Sequence, residues 1–143
     1  MDKTPSEVGA RAELEVAAGL IRSGRRVYLP LLAADGRVDL IFDDPEHGLV
    51  RAQCKTGRVS GGVLTFKVCS NTRNVPRDYR GEIDVFAVYS PQLDEVFVVP
   101  VDDVATRGCH LRLEPTRNNQ AAGIRWAEPY RLRPVQATEP VPG

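Results

Sequence analysis

The stretch Arg37-Val38-Asp39-Leu40-Ile41-Phe42-Asp43-Asp44-Pro45-Glu46-His47-Gly48-Leu49-Val50-Arg51-Ala52-Gln53-Cys54-Lys55-Thr56 decides the reading of the fold. Its ends alternate apolar and polar residues with the period of two expected of a half-buried strand. The spacing predicts strands over Arg37–Phe42 and Leu49–Thr56. In the first, Val38, Leu40 and Phe42 share a face; in the second, Val50, Ala52 and Cys54 do. The link between them is rich in turn formers and too short for a helical crossover, so the two strands form an antiparallel hairpin. A turn centred near Glu46 sets Asp39 directly across from Gln53. Asp39, Gln53 and Lys55 then gather on one face of the sheet.

Upstream, Thr4-Pro5-Ser6-Glu7 supplies a Thr N-cap, a proline at the first helical position and a glutamate at the third, which together make a capping box. The helix runs to about Ser23 and stops at Gly24. Val8, Ala12, Val16 and Leu20 recur every four residues, widened by Ala17 and Ile21. On the helical wheel Glu13 falls between Val16, Ala17 and Leu20, so it is expected to point into the apolar face. An unpaired charge there is costly, and Glu13 requires a partner. A structural ion pair with Arg37 or Lys55 is one solution.

Other short strands are expected at Arg26–Pro30, Val63–Cys69, Ile83–Tyr89 and Glu95–Val99. A short helix is expected over Val101–Arg107, and edge strands at Leu111–Leu113 and Ile124–Leu132. Residues 1–133 read as one domain, and the Pro-rich segment 134–143 as a loose tail. Phe86, Tyr89 and Trp126 are candidates for the core or for a subunit interface. Cys54 reads as packing rather than a nucleophile. His47 and His110 lack metal-ligand spacing and read as turn or surface residues.

At 143 residues, 42% hydrophobic and 27% charged, the chain can bury a real core and is far from a disordered composition. No apolar run reaches the roughly 20 residues needed to cross a bilayer, and the N-terminal residues lack a signal-peptide pattern. Three widely spaced cysteines make neither a disulfide framework nor a zinc site. The expected setting is therefore soluble and cytoplasmic. Net charge is zero, but residues 51–80 carry seven basic residues against one acid, Asp78. A neutral chain with such a middle can still present one positive face to phosphate.

Glu13 on the first helix, Asp39 on a core strand and Gln53-Cys54-Lys55 on the next form an ordered set that resembles the PD-(D/E)XK nuclease superfamily. The Gln-x-Lys third motif, in place of (D/E)-x-K, is similar to the homing-endonuclease branch encoded in group I introns. Leu20-Ile21-Arg22-Ser23-Gly24, Val27 through Pro30, Val38-Asp39-Leu40, Gln53-Cys54-Lys55-Thr56 and Tyr79 through Tyr89 carry the likeness, over residues 6–132. The resemblance implies an α/β restriction-endonuclease-like core, with the N-terminal helix packed on a mixed, mostly antiparallel sheet and further C-terminal strands. It implies metal-dependent hydrolysis of double-stranded DNA, with Mg²⁺ as cofactor and Mn²⁺ as a substitute.

Within that resemblance Asp39, the Gln53 carbonyl and Glu13 supply oxygen to the metal, while Lys55 orients or deprotonates the attacking water. Gln53 removes one negative charge from the usual set. Arg58, Lys67, Arg73, Asn74 and Arg77, in the basic segment, suit contacts to phosphates and base edges. One site per chain implies a homodimer or homotetramer for cutting both strands. A Holliday-junction resolvase and a DNA-binding module without catalysis are the other readings that the same residues allow.

Overall fold

The computed structural model describes residues 4–32, 36–68, 81–104, 108–116, 118 and 123–136. Helix α1 spans Pro5–Arg22 and begins as its sequence dictates. The Glu7 N–H donates to Thr4 Oγ1 at 3.2 Å, and the Thr4 N–H donates to the Glu7 carboxylate at 2.9 Å. Both orphan donors of the first turn are thus satisfied reciprocally. At the other end Gly24 takes a φ of +93°, which lets the chain reverse toward the sheet. Ala12, Val16 and Leu20 are the buried stripe.

Eight strands follow: β1 (Arg26–Tyr28), β2 (Leu40–Asp44), β3 (Gly48–Thr56), β4 (Arg58–Ser60), β5 (Val63–Lys67), β6 (Val85–Ser90), β7 (Glu95–Pro100) and β8 (Gly108–Arg112). They form a five-stranded sheet in the order β1-β2-β3-β6-β7 and a three-stranded sheet in the order β4-β5-β8. Among the named strands of the described residues, β3 and β6 pair in parallel and the other pairs are antiparallel. Helix α1 covers one face of the larger sheet. Its stripe packs with Leu40, Phe42, Val50, Ala52, Val85 and Ala87. A second core, built on Leu64, Phe66, Phe86, Val88, Phe97 and Leu111, fills the space between the two sheets.

The two sheets are joined at Gly57. Its N–H donates to Tyr89 O at 2.7 Å, and a Cβ there would come within 2.6 Å of Leu64 and 2.7 Å of Val88. Only a residue without a side chain lets β3 turn into β4 against the core between the sheets. The strand pair β3–β6 is also clamped from its edge. Arg51 donates to Asp84 from its backbone N–H at 2.8 Å and from Nε at 3.1 Å and Nη2 at 3.0 Å. These hydrogen bonds hold the Asp84 carboxyl below the ordinary carboxylate range.

Several expectations are corrected. Strand β2 starts at Leu40, not Arg37, and β1 ends at Tyr28 rather than Pro30. Arg58–Ser60 is a strand that the sequence did not announce. Ile124–Leu132 is no strand: Pro129 sits in a 3₁₀ turn over Glu128–Tyr130, flanked by single bridges at Trp126 and Arg131. Val101–Arg107 is reduced, within the described residues, to a 3₁₀ turn at Val101–Asp103. The strand placed at Leu111–Leu113 is Gly108–Arg112, and those at Val63 and Ile83 run over Val63–Lys67 and Val85–Ser90. Phe86 and Tyr89 are buried, whereas Trp126 is 41% exposed and no core residue. Within the described residues 133–136, the Val135 N–H donates to Ser23 O at 2.7 Å, at the end of α1. No helix among the described residues is long and apolar enough to cross a membrane.

Candidate active site

The hairpin register has Leu40 opposite Ala52, as a turn centred on Glu46 requires. The alternation fails one residue earlier. The Asp39 N–H also donates to Ala52 O, at 2.9 Å, so Asp39 and Leu40 together face one residue of β3. Two residues against one is the pattern of a β-bulge, a device that re-aims a side chain. Its consequence is visible at Val38, which packs in the core between the sheets while Leu40 and Phe42 pack under the helix. Val38, Leu40 and Phe42 therefore do not share a face. Beyond the bulge the backbone ladder gives out, and the Asp39 carboxylate accepts the Cys54 N–H at 2.7 Å. A side chain has taken the place of a strand carbonyl, which fixes Asp39 at the point where β2 and β3 part.

Glu13 does not enter the apolar face as expected. It is exposed, on the flank of the α1 stripe, and the buried positions are Ala12, Val16 and Leu20. Its charge is nevertheless coupled to Asp39. Partial desolvation, and then the neighbouring Asp39 carboxylate, raise the Glu13 carboxyl above its ordinary range. Desolvation likewise raises Asp39, with the Cys54 N–H and the Lys55 ammonium pulling it part of the way back. An ion pair of Glu13 with Arg37 is not the arrangement found, since Arg37 Nε meets Glu82 at 2.8 Å.

Gln53 and Lys55 follow the odd-numbered face of β3, beside Phe86 and Val88 of β6. The Gln53 Oε1 is buried and, among the described residues, accepts no hydrogen bond. An unsatisfied buried carbonyl costs on the order of 1–3 kcal/mol, so this oxygen is held in a place that folding alone disfavours. Among the described residues no three His, Cys, Asp or Glu side chains gather as a metal site. A hard cation here would take two carboxylates, Asp39 and Glu13, and the neutral Gln53 oxygen, and the donor chemistry fits an oxygen-seeking divalent ion. Burial and the two carboxylates push the Cys54 thiol well up, which removes it as a nucleophile.

Of the residues expected to contact DNA, Arg58 and Lys67 are exposed on β4 and β5. Arg73, Asn74 and Arg77 lie outside the described residues. Arg51, part of the basic run, is committed to Asp84. Sequence reasoning missed the Cys54 N–H as the group that holds Asp39, and as a backbone donor it leaves no mark in residue identity.

Residues 4–133 match the family model described as PD-(D/E)XK endonuclease. The chain belongs to that family. The fold of this PD-(D/E)XK endonuclease is similar to that of a bacterial homing endonuclease, I-Ssp6803I, with a TM-score of 0.65 and 22% sequence identity over 91% of this chain and 88% of that one. No curated protein matches it.

Proposed function

We propose that this PD-(D/E)XK endonuclease hydrolyses phosphodiester bonds of double-stranded DNA in a divalent-metal-dependent reaction, with Mg²⁺ as the working ion and Mn²⁺ able to replace it. The observation that carries the reading is the orphaned Gln53 Oε1, buried on the strand that also holds Asp39 through Cys54. A bound divalent ion would supply Lewis-acid polarisation of the phosphate and a lowered water pKa. Asp39, Gln53 and Glu13 are the residues that would hold it. Lys55, near enough to Asp39 to lower its carboxyl pKa, would orient the attacking water and offset charge developing on the phosphate. Residues 1–133 would act as one domain, with the C-terminal residues as an appendage.

The test is plasmid cleavage in Mg²⁺ or Mn²⁺ by wild type, Asp39→Ala and Lys55→Ala, repeated on a random target library. Cutting that depends on the ion and falls about 10³-fold or more in both variants is the expected result. Cutting that survives loss of both side chains would remove the assignment of the site.

Duplex cleavage needs two such sites, and a second copy is proposed to dock at the β1 edge of the larger sheet. Tyr28, Leu29, Leu31 and Leu32, on β1 and just after it, are exposed, the last two at 96% and 94%, as are Leu14 and Ile21 of α1. On the helix, Leu14 and Ile21 lie one heptad apart on the same face. Together with the unpaired edge of β1, a self-complementary pairing about a two-fold axis would cover them. Leu31→Asp combined with Leu32→Asp is expected to yield monomers in sedimentation experiments and to convert linearisation into nicking. A wild type that stays monomeric at micromolar concentration would overturn this part.

A further inference from the structure

We propose that the outer face of the β4-β5-β8 sheet is a platform for the sugar–phosphate backbone of duplex DNA, with Arg58, Lys67, His110 and Arg112 as its contacts and Trp126 at its edge. The inference rests on the nuclease reading above and extends it to a surface on another sheet.

Alternation fixes which side chains face outward. Leu64, Phe66, Cys109 and Leu111 are buried between the sheets, and Val59 packs against them. The residues between them must therefore point the other way. Register lines them up in rows: Arg58 beside Thr65 beside His110, then Ser60 beside Val63 beside Arg112, with Lys67 beside Gly108. Every charged side chain in those rows is basic. Of the eight residues in those rows, Arg58, Lys67 and Arg112 carry a positive charge and none carries a negative one, on a chain whose net charge is zero. Glu114 lies past the end of β8 beside Gly62, at the turn between β4 and β5. Its backbone carbonyl accepts Arg112 Nε at 2.8 Å, which anchors that guanidinium at the end of the platform.

Trp126 extends the surface. It pairs with Arg112 in a parallel bridge while its neighbour Ala127 is fully buried in the core between the sheets, so the indole faces outward with the basic rows. A half-exposed tryptophan bordering cations is costly in water and useful against the apolar edge of a sugar–phosphate chain. The platform is also connected to the site. Strand β3 passes through Gly57 into β4, so Arg58 stands three residues beyond Lys55, about 10 Å of extended chain. Phosphate contacts made there fix the register of a duplex without reading its sequence.

Trp126 is the sole tryptophan of the protein, which gives the surface its own reporter. The measurement is intrinsic fluorescence and affinity for a short random-sequence duplex in EDTA, where no bond is cut, across a salt series. Arg58→Ala, Lys67→Ala, His110→Ala and the charge-preserving Arg58→Lys are compared with wild type. DNA should change the Trp126 emission. Each loss of a permanent cation should weaken binding roughly tenfold near 0.1 M salt and lower the salt slope by about 1. Arg58→Lys should keep both, and no variant should shift the melting temperature. Duplex that binds and is cut by the metal-loaded protein, but leaves Trp126 and all three alanine variants unchanged, overturns the platform and spares the nuclease reading. A protein that neither binds nor cuts DNA overturns both.

Discussion

In the absence of divalent ions at neutral pH, Asp39→Asn is expected to melt at a higher temperature than wild type, and to lose both DNA cleavage and any thermal response to Mg²⁺. Protonation of these carboxyls is linked to folding. The Asp39 and Glu13 carboxyls are both raised above their ordinary range, by desolvation first and, for Glu13, by the charge of Asp39. A carboxyl raised by folding contributes stability in its neutral form. That contribution is fully present below the ordinary carboxylate pKa and is lost as pH rises through the raised folded value. Above that range, with both groups ionised, the metal-free protein bears the cost. Asparagine at position 39 removes one charge from the pair and relieves Glu13, while its side-chain oxygen can still accept the Cys54 N–H. The acid-to-neutral fall in stability should therefore be shallower in the variant.

In the wild type, Mg²⁺ bound as proposed is expected to reverse that cost. An ion at a hundred times its dissociation constant stabilises the folded chain by about 2.7 kcal/mol. For a chain of this size that amounts to a shift on the order of 10 °C in Tm. Differential scanning calorimetry from pH 4 to pH 8, with and without Mg²⁺, reads every part of the expectation. An Asp39→Asn protein that is less stable than wild type at pH 7, or that still gains stability from Mg²⁺, would show that Asp39 is a structural aspartate.

How much of this was legible beforehand follows from the range of the interactions. Helix α1 was fully readable, because Thr4, Pro5 and Glu7 write its start in adjacent residues and Gly24 writes its stop. The hairpin register was readable too, since a turn of fixed length leaves one pairing that buries Leu40, Phe42, Val50 and Ala52 together. The bulge at Asp39 was not. It depends on the Asp39 N–H reaching the carbonyl of Ala52, the residue already opposite Leu40, and nothing in the identities of Val38 or Asp39 encodes that. Glu13 was misplaced for a related reason. A helical wheel locates it near the apolar stripe, but only the packed sheet decides whether that flank is covered or open. The second sheet escaped notice because β5 pairs with β8 across more than forty residues, and β4 is a three-residue strand made possible by Gly57.

Gln53 separates catalytic need from folding need most cleanly, and two substitutions there should move stability and function in opposite directions. Gln53→Leu removes a buried carbonyl that has no hydrogen-bond partner and places an apolar side chain of similar size beside Phe86. The metal-free protein should gain about 1–3 kcal/mol, the usual cost of an unsatisfied buried acceptor. Ion affinity and cleavage should fall together, because the third oxygen is gone and Asp39 and Glu13 remain. Gln53→Glu does the reverse. It adds a third negative charge to two carboxyls that are already raised, so the metal-free protein should lose stability as pH rises toward neutrality. It should also bind Mg²⁺ more tightly than wild type, because the extra charge is neutralised only when the ion is present. Isothermal titration with Mg²⁺ and urea unfolding of the three proteins give the comparison. If Gln53→Leu proves less stable than wild type and still binds the ion, the orphaned oxygen is satisfied by something other than a metal, and Gln53 leaves the site.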